Sequence, residues 1–329
     1  MQIGFFDVLV TVASLVVLAV PGYILAKCKM LPEKAAEAFS TLVLYVCQTA
    51  MVFNGFQGYD FDKSIGLNML YVFGLALVIH LIMITIVSVF VKGNKQAQLK
   101  CVKYASVFGN CGYMGFPFIK MLFGETDPKA VIYVAVVIAV WNILNWTFGV
   151  FMITGDKKQI SIKKVVLNPV IIAVVLGFLT FVIAKHPIVD LAVEGSTLDV
   201  VLTKFMGSVE CLADAVTPLS MIVIGMRLAS VNLKDLFVNK LAYLQCALKL
   251  IVMAFITIAI VAFLPLAQTV KYTLFFTMAM PAATSTAMFA VKFNGDSAFG
   301  SVCVLLSTVL SIITIPLIFL VFNAFMGLV

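Results

Sequence analysis

Two apolar stretches of this chain are each interrupted by proline and small residues, and this pair of interruptions restricts the fold more than any other feature. The first stretch reads FGNCGYMGFPF at residues 108–118 and holds three glycines and Pro117. The second reads MPAATSTA at residues 280–287, about half a chain length later, and contains Pro281. Proline removes a backbone donor and clashes with the preceding helical turn, while glycine lowers the cost of non-helical backbone. We therefore predict that two helices unwind at these points.

Composition places both interruptions inside a membrane. Hydrophobic residues make up 63% of the chain, charged residues make up 11%, and the mean hydropathy is +1.14. A soluble core of this length could not bury so much apolar surface, so the chain is predicted to be an all-α polytopic membrane protein. Within the hydrocarbon core of a membrane, unwound backbone is tolerated only where protein or a wet cavity covers it, and in transporters such breaks line the substrate site. The alternative is a packed kink with small residues facing a neighbouring helix.

Charge, cysteine content and motifs argue against several other classes of function. The net charge is +7, but the lysines stand at the ends of apolar segments, so nucleic acid is not an expected partner. The seven cysteines show no CxxC spacing, so neither a metal site nor a disulfide framework is expected. The sequence has no HExxH or GxSxG motif and only two histidines, so we expect neither an enzyme nor a cofactor.

Ten apolar segments have the length of about 20 residues that a membrane-spanning helix needs. Lysines follow the first, third, fifth, seventh and ninth segments, and acids such as Asp60 and Asp62 occupy the intervening loops, so the positive-inside rule places both termini outside the cytoplasm. Because each half holds five spans, a second half that repeats the first must enter the membrane from the opposite side, as in many secondary transporters. The predicted spans are 5–27, 38–58, 65–91, 98–123, 129–153, 164–184, 206–228, 237–263, 268–291 and 298–325.

Five short stretches resemble the auxin efflux carrier family of bacterial and plant transporters, and their order and spacing cover the whole chain. One departure is the second span, which reads YVCQT at residues 45–49 where family members often carry a proline. The five stretches are VPGYILAK at 20–27, the segment 110–117, NPVIIA at 168–173 with LG at 176–177, PLSM at 218–221 with IGM at 224–226, and MP at 280–281 with MFAVK at 288–292.

The resemblance implies ten transmembrane helices as two inverted five-helix repeats, residues 1–153 and 164–329, joined by a cytoplasmic linker at 154–163. Helices 1, 2, 6 and 7 would form a scaffold through which two chains form a homodimer. Helices 3–5 and 8–10 would form a mobile transport domain, in which the broken helices 4 and 9 cross at their prolines. The resemblance also implies a small organic anion as substrate and the bacterial inner membrane as location. The crossover residues are then Gly112, Gly115, Pro117 and Pro281.

Polar residues near the interruptions are the candidates for contacting an anion, because half-helix N-termini, each equivalent to about half a positive charge, meet there. Asn110 stands where the resemblance puts a substrate-facing asparagine; its alternative role is a helix cap or an interhelical hydrogen bond. Asn142 and Asn145 lie three positions apart on one face of span five, and the sequence leaves open which matches the family asparagine and whether they only join helices. Thr284 and Ser285 could offer hydroxyls to the ligand; their alternative is back-bonding to carbonyls freed beside Pro281. The remaining candidates are Tyr113 and, on the scaffold side, Gln48.

Ionisable groups inside the spans are functional candidates because their burial is costly. Lys249 stands near the centre of span eight, one turn after Gln245, and His80 stands near the centre of span three. Lys249 or His80 could supply a positive charge or a titrating proton site. Their alternatives are snorkelling toward the cytoplasmic face for the lysine and, for the histidine, a neutral ring that is hydrogen-bonded between helices. No pair of acids stands at mid-membrane, which disfavours cation exchange.

Three functions fit this pattern. The best supported is a secondary transporter that moves a small organic anion, a carboxylate, by elevator-type alternating access within the lipid bilayer. The second is a sodium-coupled symporter resembling bile-acid carriers, or a cation/proton antiporter of the same architecture, and dependence on sodium or protons as coupling ion would distinguish it. The third is a membrane sensor or receptor. Because a cell is negative inside, an anion would be expelled without any coupling ion.

Overall fold

The structure of the protein is a computed structural model that describes residues 3–32, 34–124, 126–127, 129–230, 236, 238–293 and 295–327. In this part of the chain all regular structure is helical, apart from one isolated β-bridge. A short helix, Ile162–Val166, lies between the helices Lys129–Thr154 and Pro169–Ile183. The main helices are α1 (Phe5–Lys27), α2 (Ala35–Gln57), α3 (Lys63–Phe90), α4 (Gln96–Val107), α5 (Phe116–Phe123), α6 (Lys129–Thr154), α7 (Pro169–Ile183), α8 (Thr197–Ser230), α9 (Lys240–Val261), α10 (Gln268–Ala279), α11 (Ser285–Lys292) and α12 (Ser297–Gly327).

Seven of these helices, α1, α2, α3, α6, α8, α9 and α12, are long and apolar enough to cross a membrane, and α7 is a shorter apolar helix. The remaining four, α4, α5, α10 and α11, have between 8 and 12 residues each. At a rise of about 1.5 Å per residue they are roughly 12 to 18 Å long, well short of a hydrocarbon core of about 30 Å. They therefore form two pairs of half-helices, α4 with α5 and α10 with α11.

Local capping signals fix where several helices begin. Asp62 accepts a hydrogen bond from the backbone N–H of Ser64 at 3.0 Å at the start of α3, and the hydrogen bonds from Ser64 hold the pKa of the Asp62 carboxyl below its usual range. Asn168 accepts from the backbone N–H of Val170 at 2.9 Å, and Pro169 occupies the first turn of α7. Such caps satisfy donors that a helix start leaves unpaired.

The helix in the seventh predicted span is longer than the sequence suggested. α8 begins at Thr197, behind the capping hydroxyl of Ser196, whereas the hydropathy pattern placed the span at 206–228. The first half of α8, up to Asp214, alternates charged and apolar residues at helical spacing and exposes many of them. A segment of this kind has too low a mean hydropathy to be recognised as a span, although its backbone is helical.

The loops between the helices separate into two faces. We name the side where α1 and α8 end the basic face; there Nζ of Lys27 donates to the carbonyl oxygen of Ala229 at 3.3 Å. We name the side where α2 ends and α3 begins the acidic face; there Nδ1 of His186 lies 2.8 Å from Oδ1 of Asp60. Each of these contacts joins chain segments that lie far apart in sequence.

Helices α1 and α8 cross with their backbones in contact. A Cβ atom on Gly225 would lie 1.9 Å from the carbonyl oxygen of Ala19, and a Cβ atom on Gly22 would lie 2.1 Å from the carbonyl oxygen of Ile222. Only glycine permits this approach, because any side chain would overlap backbone atoms. The pair α1–α8 is therefore a closely packed unit whose separation is fixed by two glycines.

One π-helical turn, Thr180–Ala184, ends the shorter helix α7. Three of the long spanning helices also contain a π-helical turn, a rare conformation that often marks a functional site. These turns stand at or directly before three of the candidate residues, Gln48, Asn145 and Lys249. The helices are therefore irregular at the depth where the interruptions lie. The turns are Val43–Cys47 in α2, Asn145–Gly149 in α6 and Ala247–Val252 in α9.

Candidate functional site

The two interruptions meet, and their backbones are hydrogen-bonded to each other. The N–H of Asn110 donates to the carbonyl oxygen of Pro281 at 2.7 Å, and the N–H of Ala283 donates to the carbonyl oxygen of Phe108 at 2.9 Å. The segments pair as one antiparallel bridge between half-helix pairs α4–α5 and α10–α11. Each interruption thus supplies partners for backbone groups that the other leaves unpaired, which unwound backbone inside a membrane requires. We name this contact the crossover.

The first helix unwinds earlier than the position of Pro117 suggests. Residues 108–110 are non-helical, a π turn follows at Cys111–Gly115, and Pro117 is the second residue of α5. Because proline has no N–H, it cannot bond to the carbonyl oxygen of Tyr113 one turn earlier, and this oxygen accepts instead from Oγ of Ser220 at 2.9 Å. The structure places Pro281 directly beside the crossover, whereas Pro117 and Gly115 lie beyond it.

Two buried side chains take over further backbone groups at the crossover. Oγ of Ser307, on α12, accepts from the N–H of Ala282 at 3.0 Å, and Nε2 of Gln245, on α9, donates to the carbonyl oxygen of Ala105 at 3.1 Å. Both side chains are fully buried. A buried polar group without a partner costs about 1–3 kcal/mol, so these contacts stabilise the broken helix ends.

Lys249 lies behind the crossover. Its Nζ donates to the carbonyl oxygen of Met278 at 3.2 Å, and a Cβ atom on Gly109 would lie only 2.6 Å from this nitrogen. The lysine is 1% exposed, so it does not snorkel to either face. Nδ1 of His80 donates to the carbonyl oxygen of Ala76 at 2.7 Å, within its own helix. The lysine therefore packs against the crossover backbone. The histidine forms its hydrogen bond within its own helix, and not between helices as its alternative role expected.

A cavity of about 100 Å³ opens beside the crossover and is lined by α2, both interruptions, α6 and α11. Many of the residues selected from the sequence come together in its wall, although they belong to four separate parts of the chain. Those in the lining are Gln48, Asn110, Gly112, Tyr113, Asn142, Asn145, Thr284 and Ser285. Those outside the lining are Gly115, Pro117, Pro281, His80, Gln245 and Lys249.

Two amides in the lining each keep a polar atom without a hydrogen-bond partner among the described residues. These atoms are Nδ2 of Asn110 and Oε1 of Gln48, and both residues are 4% exposed. A buried amide donor left unpaired is unfavourable, and a ligand acceptor placed beside it removes that cost. Gln48 is held against the first interruption, because a Cβ atom on Gly112 would lie 2.2 Å from its Nε2. The cavity therefore offers one free donor and one free acceptor.

The two asparagines of α6 have different partners. Nδ2 of Asn142 donates to the carbonyl oxygen one turn earlier at 2.9 Å, and its Oδ1 accepts from Nδ2 of Asn168 at 3.3 Å. Oδ1 of Asn145 accepts from the hydroxyl of Tyr104, whose oxygen also lies 2.8 Å from Oγ of Ser285. Asn142 thus joins α6 to the start of α7. Asn145 instead connects to both half-helix pairs through Tyr104.

Several residues of the site were not recognised from the sequence. Nζ of Lys292 lies 5.3 Å from the ring centroid of Trp146, and Nε1 of Trp141 is a buried donor without a partner in the described part of the chain; all three residues line the cavity. Two tryptophans beside two asparagines in one span are a usable sequence signal. Lys292 follows the ninth segment, where a lysine indicates topology and gives no separate sign of a site. The cavity can therefore hydrogen-bond an acceptor-rich ligand from neutral donors, with one ammonium group at its edge.

Comparison with known proteins agrees with this architecture. A family model described as membrane transport protein matches residues 7–164 and again residues 158–319. The two matches together extend over nearly the whole chain, whereas a comparison with curated proteins finds no match. The matched family consists of membrane transporters and not of enzymes. The chain therefore belongs to the auxin efflux carrier family of membrane transport proteins.

Proposed function

We propose that the protein is a secondary transporter that binds a small organic anion, a carboxylate, in the crossover cavity. The observation that carries this proposal is the unpaired Nδ2 of Asn110, a buried donor in the wall of that cavity. A carboxylate can accept a hydrogen bond from this amide, and because the amide is neutral there is no counter-ion to displace. A hydrogen bond to a charged group contributes about 1.5–3 kcal/mol.

The electrostatics of the crossover favour an anion. Helix α11 begins at Ser285, directly after the second interruption, and its N-terminus carries partial positive charge. Lys249 lies against the crossing backbone, and none of the described residues that line the cavity carries a carboxylate. These groups replace part of the hydration that the anion loses on entering the membrane.

The packing supports an elevator-type movement with alternating access. We assign α1, α2, α7 and α8 to a scaffold, because α1 and α8 are in backbone contact, and α3–α6 with α9–α12 to a transport domain that contains the crossover. The cavity lies between Gln48 on the scaffold side and the crossover, so it would be exposed to one face and then the other as the domains slide. In this proposal residues 1–153 and 164–329 are inverted five-helix repeats joined by residues 154–163, and together they supply ten spans.

The membrane context is proposed from the same pattern. The basic face would be cytoplasmic by the positive-inside rule, which leaves both termini outside, in a bacterial inner membrane. A homodimer would form through the scaffold. Export of the anion would need no coupling ion, because moving one charge through 100 mV is worth about 2.3 kcal/mol.

A ligand screen tests the proposal. The purified protein is heated with succinate, benzoate and other small carboxylates, and a bound anion should raise the melting temperature because only the folded state binds it. Asn110→Ala should lose about tenfold or more in affinity, since one charge-assisted hydrogen bond disappears. Asn68→Ala is the matched control, because Asn68 donates to Tyr133 outside the cavity. A protein that binds no carboxylate, or an Asn110→Ala variant that binds as wild type does, would contradict the proposal.

A coupled symporter or antiporter is the second candidate, and the buried amine of Lys249 favours its proton-coupled form. Lys249 with Gln245 and His80 would then form a charge or proton site behind the crossover. Carboxylate uptake into proteoliposomes should respond to sodium if sodium is coupled, and to a pH gradient if a proton is coupled. A Lys249→Met variant that transports normally but has lost its pH dependence would identify this residue as the proton site.

A further inference from the structure

A second cavity of about 410 Å³ opens at the basic face, between the beginnings of α2 and α12 and the ends of α8 and α11. Met288 and Lys292 line both this cavity and the crossover cavity, so the two adjoin. We name it the vestibule. A ligand entering from the basic face would pass through the vestibule before it reaches Asn110.

Arg227 is a half-buried cation in the vestibule wall without a full set of partners. Its Nη2 makes one long hydrogen bond, 3.4 Å, to Oγ of Ser40, and its Nε is buried with no partner among the described residues. The residue follows Gly225, where α8 touches the backbone of α1, so its backbone position is fixed. A guanidinium presents five donors and is always charged, and this arrangement leaves part of that capacity open to an anion.

Lys292 supplies a second positive charge to the same cavity. It is exposed, its Nζ lies over the ring of Trp146, and it stands at the last residue of α11. No carboxylate among the described residues lies within 4.0 Å of the charged nitrogens of Lys292 or Arg227. Both cations therefore face the vestibule without a counter-ion in contact.

One acid shares the vestibule. Glu37 lines it together with the hydroxyls of Thr41, Ser297 and Ser301, so the charged side chains in the wall sum to one positive charge. Ser301 donates to the carbonyl oxygen of Ser297 within α12, which leaves its oxygen able to accept. This net positive charge favours a monoanion or a short dianion over a cation, and the carboxylate of Glu37 repels ligands of higher negative charge.

Hydrogen bonds at one backbone segment connect Arg227 to the wall of the crossover cavity. Ser40 accepts from Arg227 with its Oγ, and its carbonyl oxygen accepts from the hydroxyl of Tyr113 at 2.7 Å. Tyr113 lines the crossover cavity, and its own carbonyl oxygen accepts from Oγ of Ser220 at 2.9 Å. The wall that carries the guanidinium is therefore continuous with the wall that faces the crossover.

We propose that Arg227 and Lys292 form an outer carboxylate site in the vestibule, which receives the anion from the basic face and precedes binding at the crossover. The site rests on the proposed function for its ligand class, but it needs no part of the crossover to bind. Arg227 belongs to α8 and Lys292 to α11, so a carboxylate between them contacts both the proposed scaffold and the proposed transport domain.

The first test measures transport of radiolabelled succinate and benzoate by proteoliposomes with the substrate at the basic face. Arg227→Gln and Lys292→Gln should each raise KM about three- to tenfold, because they weaken an approach site. Arg227 lies outside the crossover cavity, so Arg227→Gln should also leave the maximal rate within about twofold. The double variant should raise KM by less than the product of the single effects, since both side chains contact one anion. Arg227→Lys should recover part of the loss, and Lys163→Gln, outside the vestibule, should match wild type.

The second test does not depend on transport. In the Asn110→Ala protein, acetylation of Lys292 is followed by mass spectrometry with succinate, benzoate or chloride present, and Lys163 in the same molecule serves as the internal standard. Either carboxylate should slow acetylation of Lys292 about threefold or more, and chloride at equal ionic strength should not. Protection without transport in wild type would leave the outer site standing and refute the transport proposal. Transport with wild-type KM in both variants, or the absence of protection, would overturn the outer site.

Discussion

Replacing Ser307 by alanine should destabilise the protein by about 1–3 kcal/mol, because it leaves the buried N–H of Ala282 without an acceptor. Oγ of Ser307 accepts from this N–H at 3.0 Å and itself donates to the carbonyl oxygen of Val304 at 3.0 Å. Hydrogen bonds between membrane helices average only about 0.6 kcal/mol, but here one partner remains as an unsatisfied donor inside the protein, so the larger value applies.

Reversible unfolding in mixed detergent micelles measures this free energy. Ser301→Ala is the matched control on the same helix, because among the described residues Oγ of Ser301 bonds only to the carbonyl oxygen of Ser297 in its own helix. The control should change stability by no more than about 0.5 kcal/mol. If Ser307→Ala is as stable as Ser301→Ala, the N–H of Ala282 has another partner and the described crossover is wrong.

Two glycine replacements make further predictions. Gly225→Ala should destabilise the protein by at least about 1–3 kcal/mol in the same unfolding assay, because its Cβ would lie 1.9 Å from a backbone oxygen of α1. Gly207→Ala is the control and should not destabilise the protein, because nothing lies within 4 Å of its new Cβ. Equal effects of the two replacements would refute the backbone contact. Gly112→Ala should displace Gln48, whose Nε2 lies 2.2 Å from the new Cβ, and should lower the affinity for a carboxylate with little loss of stability. Gly74→Ala is the control and should bind the carboxylate as wild type does. Unchanged affinity in Gly112→Ala would show that Gln48 does not face the ligand.

The interruptions could be predicted from the sequence because proline and glycine act on the local backbone. The crossover itself could not be derived from that local signal. Where Asn110 pairs with Pro281 depends on the relative position of two helices far apart in sequence, and no periodicity encodes such a register. The shift of the unwound segment away from Pro117 has the same origin, since a proline can stand at a break or follow a π turn whose freed carbonyl finds a partner on another helix.

The polar residues of the site show a similar limit. Asn110, Asn142 and Asn145 stand out in the sequence because amides are rare in apolar spans, and all three line the cavity. Tyr104 and Ser307 do not stand out, since a tyrosine or serine in a membrane helix usually needs no explanation. Their importance comes only from partners on other helices. The π turns were also beyond sequence reasoning, because the hydrophobic pattern of a π turn is not distinguishable from that of an α-helix over five residues.

The affinity of Asn110→Asp for a carboxylate tests the central claim most directly, because this replacement keeps the size of the side chain and reverses the preference for an anion. Two negative charges about 4 Å apart repel by about 4 kcal/mol at an effective dielectric constant near 20. The best carboxylate from the screen should therefore bind at least about thirtyfold more weakly to Asn110→Asp than to wild type at pH 8. Equal binding of the carboxylate to both proteins would show that the anion does not occupy the crossover.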